Sequence, residues 1–266
     1  MNSRLGTEEE IPLDGGGRTI VARRGDIVLR ETGPWANSVH AFLKHLEGHG
    51  FEGAPRVMGS GFDDKGRETL TYVEGQVVHP TLWPEVALIS MGVLLRRLHN
   101  AAKSFCPPAN AIWRPWFGRH IGTPDIIGHC DISPWNVVLR NSKAYALIDW
   151  EAAGPTNRLT EVALAAWTCA QLYDDDIAER NNLPDAGTRI MLVRRFVDAY
   201  ELSISERHLL ADRMIELAIC SAAAECMEYR ITPDITQTPG LWGIVWRARS
   251  AAWLIRNRQM IEAALR

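Results

Sequence analysis

Cysteine is scarce and unpatterned. The five in 266 residues (Cys106, Cys130, Cys169, Cys220 and Cys226) are odd in number, widely spaced and free of any C-x-x-C pair. That excludes a disulfide framework and the usual zinc spacings, and the thiols read as reduced. An excess of basic charge is also lacking: 29 Lys and Arg face 32 Asp and Glu, a net charge of -3, so there is no electrostatic footprint for nucleic acid. Long apolar runs are missing as well. The two longest uncharged stretches, Val86 to Leu95 and Val162 to Tyr173, fall short of the ~20 residues that span a bilayer. The chain opens MNSRLGTEEE, acidic where a secretory signal is basic and then apolar. A cytoplasmic protein with no nucleic-acid and no membrane partner is expected.

What is present is an ordinary globular composition, 46% hydrophobic and 23% charged, on a chain long enough for one sizeable core or two lobes. Between Pro12 and Arg30, β-rich runs (Thr19 to Ala22, Ile27 to Leu29) alternate with turn residues (Asp14 to Gly17, Arg24 to Asp26), the pattern of antiparallel hairpins. A helix follows, with Val39, Phe42, Leu43 and Leu46 on one face, Asn37 or Ser38 as cap, and Gly48 and Gly50 at its end. Pro55 to Gly61 and Glu68 to Val73 read as two further strands. From Pro84 the pattern turns helical, first in a segment with Val86, Ile89, Val93, Leu94 and Leu98 as its apolar positions, and later from Leu159, Thr188, Glu206 and Trp242. The exception is a hairpin of Asn136 to Leu139 and Ala144 to Ile148 around the turn Arg140 to Lys143. The expected fold is therefore α+β. Residues 1–75 form a small antiparallel sheet with one helix, and 76–266 form a larger, mostly helical lobe.

The chemistry is concentrated in Gly128-His-Cys-Asp-Ile-Ser-Pro-Trp-Asn136, followed beyond the hairpin by Ile148-Asp-Trp-Glu151. Asp131 stands in a loop before a strand, where it can be aimed at a substrate hydroxyl. Asn136 opens that strand and Asp149 closes the next, so one amide and one carboxylate oxygen come from opposite arms of a hairpin. A hard cation such as Mg²⁺ favours a few such oxygens together with phosphate oxygens. Phosphoryl transfer needs mainly positioning and charge neutralisation, and a base, two metal ligands and a cation on the phosphates suffice.

The motif His-x-Asp-x-x-x-x-Asn, a hairpin and then Asp is similar to the kinase catalytic loop and metal motif. More closely, His129 to Asn136 with Ile148 to Glu151 resembles the aminoglycoside phosphotransferase and choline kinase superfamily, whose fold is the bilobal protein-kinase-like one. The resemblance implies that Asp131 is the catalytic base, that Asn136 and Asp149 are magnesium ligands, and that His129 braces the loop. It further implies that Tyr72 and Val73 lie in the linker that meets the nucleotide base and that Gly16, within Gly15 to Gly17, lies near the phosphates. Arg30 falls where the family has a phosphate-binding lysine. The implied reaction moves the γ-phosphate of ATP or GTP, with Mg²⁺, to a hydroxyl of a small molecule. The chain departs from the family in four places: Arg30 replaces the lysine, Val39 and His40 stand near where a helix Glu would orient it, Cys130 takes the usual place of a Gly and Glu161 that of an Asp.

Other features have plainer readings. His40, His45 and His49 lack a further zinc ligand and read as surface histidines. Trp242, Trp246 and Trp253 could form an aromatic substrate wall, but core packing is expected. Asp174 to Asp176 could attract a cation, although a solvated loop or helix start is the commoner outcome. The helical lobe carries 20 basic and 20 acidic residues, so composition gives no support to a polycationic aminoglycoside substrate. The alternative to an enzyme is a nucleotide-binding pseudokinase that acts as a regulatory module. A protein kinase is disfavoured because Asp149-Trp-Glu151 replaces D-F-G and no A-P-E segment follows.

Overall fold

The computed structural model describes residues 9–13, 20–234 and 240–266. Gly15 to Gly17, and with them Gly16, lie outside the described residues. In chain order the elements are β1 (Ile11–Pro12), β2 (Val21–Arg24), β3 (Ile27–Arg30), α1 (Ala36–Gly48), β4 (Val57–Phe62), β5 (Glu68–Thr71) and α2 (Glu85–Ala102). They continue as β6 (Ile126–Gly128), β7 (Val137–Arg140), β8 (Lys143–Leu147), β9 (Gly154–Thr156), α3 (Arg158–Cys169), α4 (Asp175–Arg180), α5 (Ala186–Tyr200), α6 (Ile204–Glu228), α7 (Leu241–Arg256) and α8 (Arg258–Leu265). This is the bilobal protein-kinase-like α+β arrangement expected from the sequence, with a small antiparallel sheet first and a mostly helical region after it.

The first sheet has the order β1-β2-β3-β5-β4, every pair antiparallel. Its register sets Arg30 directly opposite Glu68, so the two side chains share one face of the sheet. Helix α1 packs its apolar stripe, Val39, Phe42, Leu43 and Leu46, into the core. Its N-cap lies two residues before Asn37 and three before Ser38, the expected caps. Trp35 is the N-cap, Asn37 and Ser38 stand in the first turn, and the Ser38 hydroxyl instead accepts the Ile112 N–H at 2.8 Å.

The linker after β5 is pinned to the second lobe. Gln76 bridges Leu139 through both backbone groups, and Gly75, at φ 143°, approaches so closely that a Cβ would lie 2.3 Å from Val138 Cγ1. A side chain there is excluded both by conformation and by space. The β7–β8 hairpin turns on two residues, Asn141 and Ser142, both at positive φ; the turn is tighter than the four-residue one expected, because left-handed residues match the strand twist.

Three expectations about burial are corrected. On α2 the buried face is Ala87, Leu88, Met91, Leu94, Leu95 and Leu98, whereas Val86, Ile89 and Val93 are exposed along a groove. His40 is buried, not superficial. Among the three tryptophans of α7, Trp253 is fully buried but Trp242 is 59% exposed. No helix among the described residues is long and apolar enough to cross a membrane.

Candidate active site

The loop between β6 and β7 is built from its buried side outward. Glu161 of α3 is completely buried; its Oε1 accepts the Cys130 N–H at 2.6 Å and its Oε2 lies 2.8 Å from His99 Nε2. Burial pushes this carboxyl up, but the His99 and Cys130 hydrogen bonds outweigh it and the net shift is downward. Gly128 makes room for the contact, since a Cβ there would stand 2.3 Å from Glu161 Oε2. Cys130 has φ 66°, a conformation that favours glycine, which is why its position is usually a glycine. Burial raises its thiol well above the ordinary range, so it packs as an inert residue.

His129 is fully buried. Its Nε2 donates to the Ile148 carbonyl at 2.9 Å, and its Nδ1 accepts the Asp131 N–H at 3.2 Å. One imidazole thus ties the catalytic loop to the strand that delivers Asp149. Burial holds its pKa below the ordinary value, consistent with the neutral tautomer these bonds require. Trp150 packs edge-on against both His129, at 4.6 Å, and Phe42 of α1, at 5.9 Å, so the same cluster joins the small lobe to the loop.

On this base the predicted polar residues come together. Asn136 Nδ2 donates to the Asp131 backbone oxygen and to Asp131 Oδ2, each at 2.8 Å. This orients the carboxylate and leaves the Asn136 amide oxygen without a donor among the described residues. Asp149 sits in the left-handed region at φ 62°. Its Oδ1 accepts from Arg30 Nη1 at 2.5 Å, and its side chain is 41% exposed. Asp131, Asn136, Asp149 and Arg30 therefore share one site that draws on both lobes. An amide oxygen and a carboxylate suit a hard divalent cation that completes its shell with phosphate and water, so the residues present fit Mg²⁺. No cluster of three His, Cys, Asp or Glu able to hold a metal alone occurs among the described residues.

Arg30 answers the question left by the missing helix Glu. Its Nε donates to Glu68 Oε2 at 2.7 Å, and Glu68 Oε1 lies 2.9 Å from His40 Nε2. The orienting carboxylate comes from the neighbouring strand and is itself held by the helix residue that stands near the usual Glu position. Gly61, at φ 93°, lets the imidazole in, since a Cβ there would lie 2.5 Å from His40 Nδ1. Burial works against the Arg30 charge, but Glu68 and Asp149 overcome it and raise its pKa above the ordinary value. Glu151 adds a longer contact to Arg30 at 3.7 Å and is paired with Arg114. Tyr72 and Val73 are half-buried, the first and second residues after β5 ends at Thr71. The Tyr72 N–H donates to Asp26, and Arg23 lies 3.7 Å over its ring.

Two carboxylates, an amide and a buried arginine stand together in a two-lobed kinase-like frame, the donor set of a small-molecule phosphotransferase. The model of the phosphotransferase enzyme family matches residues 111–190, a span that includes the catalytic loop and Asp149. Over 97% of its length the chain is 50% identical to the trifolitoxin immunity protein of Rhizobium leguminosarum bv. trifolii, of which the match covers 99%. The chain belongs to the phosphotransferase enzyme family. Solved structures of similar fold include a choline/ethanolamine kinase family protein from Mesorhizobium loti, with TM-score 0.59, 16% identity and coverage of 98% of this chain and 92% of that one. Another is the amicoumacin kinase hAmiN, with TM-score 0.63, 13% identity and coverage of 96% and 88%.

Proposed function

We propose that the protein transfers the γ-phosphoryl group of ATP or GTP to a hydroxyl of a small molecule. The observation that carries the reading is the Asp131–Asn136–Asp149–Arg30 constellation. Asp131, held by the Asn136 amide, aligns the acceptor O–H and takes its proton as the new O–P bond forms and the bond to the nucleoside diphosphate breaks. Asn136 and Asp149 hold the Mg²⁺ of the nucleotide. When bound, that ion neutralises charge on the phosphate oxygens. Arg30, fixed by Glu68, faces the phosphates with a planar guanidinium able to bind two oxygens at once. Tyr72 and Val73 meet the nucleotide base through the linker.

The curated relative is an immunity protein by name, and hAmiN was solved with amicoumacin. Both support an acceptor of antibiotic or toxin type, inactivated by phosphorylation in the cytoplasm, where nucleoside triphosphate is at hand. The test is formation of nucleoside diphosphate from ATP and GTP in the presence of hydroxyl-bearing acceptors, with and without Mg²⁺, for the wild type and for Asp131→Asn. Metal-dependent turnover that falls at least ~100-fold in the variant supports the reading. Binding of nucleotide with no turnover under any acceptor would instead favour the pseudokinase, whose one structural argument is the rerouted arginine.

A further inference from the structure

Trp135, the residue immediately before Asn136, does not pack into the core; it borders a cavity of about 400 Å³ beside the catalytic loop, within the size range of small-molecule sites. Its ring meets that of His79 edge-on at 5.0 Å, and the segment after His79 is held by the Gln171 amide, which donates to the Pro80 carbonyl at 2.9 Å. The far wall is α7. There Trp246 stacks on Trp167 at 5.4 Å and meets Tyr173 edge-on, while Trp242 presents an exposed face. These are flat surfaces suited to stacking.

Two arginines stand in the wall, one of them paired. Arg180, at the end of α4, lines the cavity, is exposed, and has no carboxylate partner among the described residues. Arg247 donates to Ser221 Oγ at 2.7 Å and stands 3.4 Å from Glu225. No Asp or Glu is among the residues that line the cavity. The acidic run that could have received a cation is already engaged. Asp174 accepts from Arg249 and Arg256 at 2.9 and 2.6 Å. Asp175 takes the Trp253 indole N–H at 2.7 Å and faces Arg189, and Asp176 pairs with Arg249.

We propose that this cavity receives the acceptor and selects a flat aromatic molecule that is anionic or uncharged, with polycations rejected. The inference rests on the phosphotransferase reading for what is done to the ligand, but the ligand's chemistry is read from the cavity alone. The Arg180 guanidinium, without a counter-ion, and the exposed indole faces bind an aromatic acid through charge and stacking together, whereas a polyamine gains no carboxylate from the lining and meets the like charge of Arg180.

The test is calorimetric binding to the full chain, without nucleotide, of two hydroxyl-bearing probes, 5-hydroxyindole-3-acetate and kanamycin. The aromatic acid is expected to bind at least ~10-fold more tightly than kanamycin, and Arg180→Glu to weaken it at least ~5-fold while Arg180→Lys largely restores it. Arg180 is exposed, so these substitutions leave the fold intact. Kanamycin binding as tightly as the acid, no heat from the acid, or an Arg180→Glu variant indistinguishable from the wild type would each overturn the proposal. Absence of Mg²⁺-dependent nucleotide binding would remove the phosphotransferase reading and leave these probe preferences standing, so the two failures are separable.

Discussion

Replacing Glu68 by Gln keeps the size and shape of the side chain and removes only its charge, at a position 2% exposed. The charge acts through the 2.7 Å bond from Arg30 and the 2.9 Å bond with His40, and the amide keeps only one acceptor oxygen for the two. Removing one partner of a buried ion pair typically costs ~3–5 kcal/mol, because the remaining charge is left uncompensated. Arg30 keeps Asp149 as a partner, so the lower end, ~3 kcal/mol, is expected, or a fall of ~6–10 °C in the thermal midpoint. The functional effect differs in kind. Without the Glu68 charge the guanidinium is left to Asp149 and the longer Glu151 contact and no longer holds a fixed place over the phosphates, and such misplacement costs on the order of 100-fold in turnover. The assay is urea unfolding together with steady-state turnover of Mg·ATP or Mg·GTP. A variant with wild-type stability and wild-type turnover would refute the idea that the strand carboxylate replaces the helix Glu.

The same reasoning gives three further expectations. His129 is buried with its pKa held below the ordinary 6.5, so below pH ~6.5 the unfolded chain gains a proton that the folded chain refuses, and stability falls as pH drops, by at most ~1.4 kcal/mol per pH unit for this group. His129→Asn should therefore shallow the pH dependence of unfolding below pH ~6.5; an unchanged slope would contradict this. Gly128→Ala drives a methyl to 2.3 Å from Glu161 Oε2 and should cost at least ~2 kcal/mol of stability, read by denaturant titration. Trp150→Ala empties the space between Phe42 and His129 and should cost ~3–5 kcal/mol, with turnover lost together with stability.

The catalytic loop was legible because its chemistry is compressed into consecutive residues. Asp131 and Asn136 are five apart, and the hairpin that returns Asp149 has the alternation and turn residues that a local pattern reveals. Arg30 could be placed on its strand, but its partner could not. Glu68 reaches it only through the strand order β3-β5-β4, a long-range pairing that no local period encodes. His40 was misjudged for a related reason: an imidazole on an amphipathic helix reads as surface unless the buried carboxylate it meets is known. The α7 tryptophans fell on both sides of the alternatives, since a helical period shows that Trp242, Trp246 and Trp253 lie near one another but not where the core ends and a cavity begins. The charge of Asp174 to Asp176 was visible, while its neutralisation by arginines more than seventy residues away was not.

All of this depends on Asn136 and Asp149 forming, with Asp131 and Arg30, a place for a magnesium-bound triphosphate. Calorimetric titration of ATP and GTP into the wild type and into Asp149→Ala, each with Mg²⁺ and with EDTA, tests that directly. At least one nucleotide should bind the wild type only when Mg²⁺ is present, and Asp149→Ala should weaken it at least ~10-fold with the fold preserved. Equal affinity in the variant, or affinity indifferent to the metal, would contradict the account.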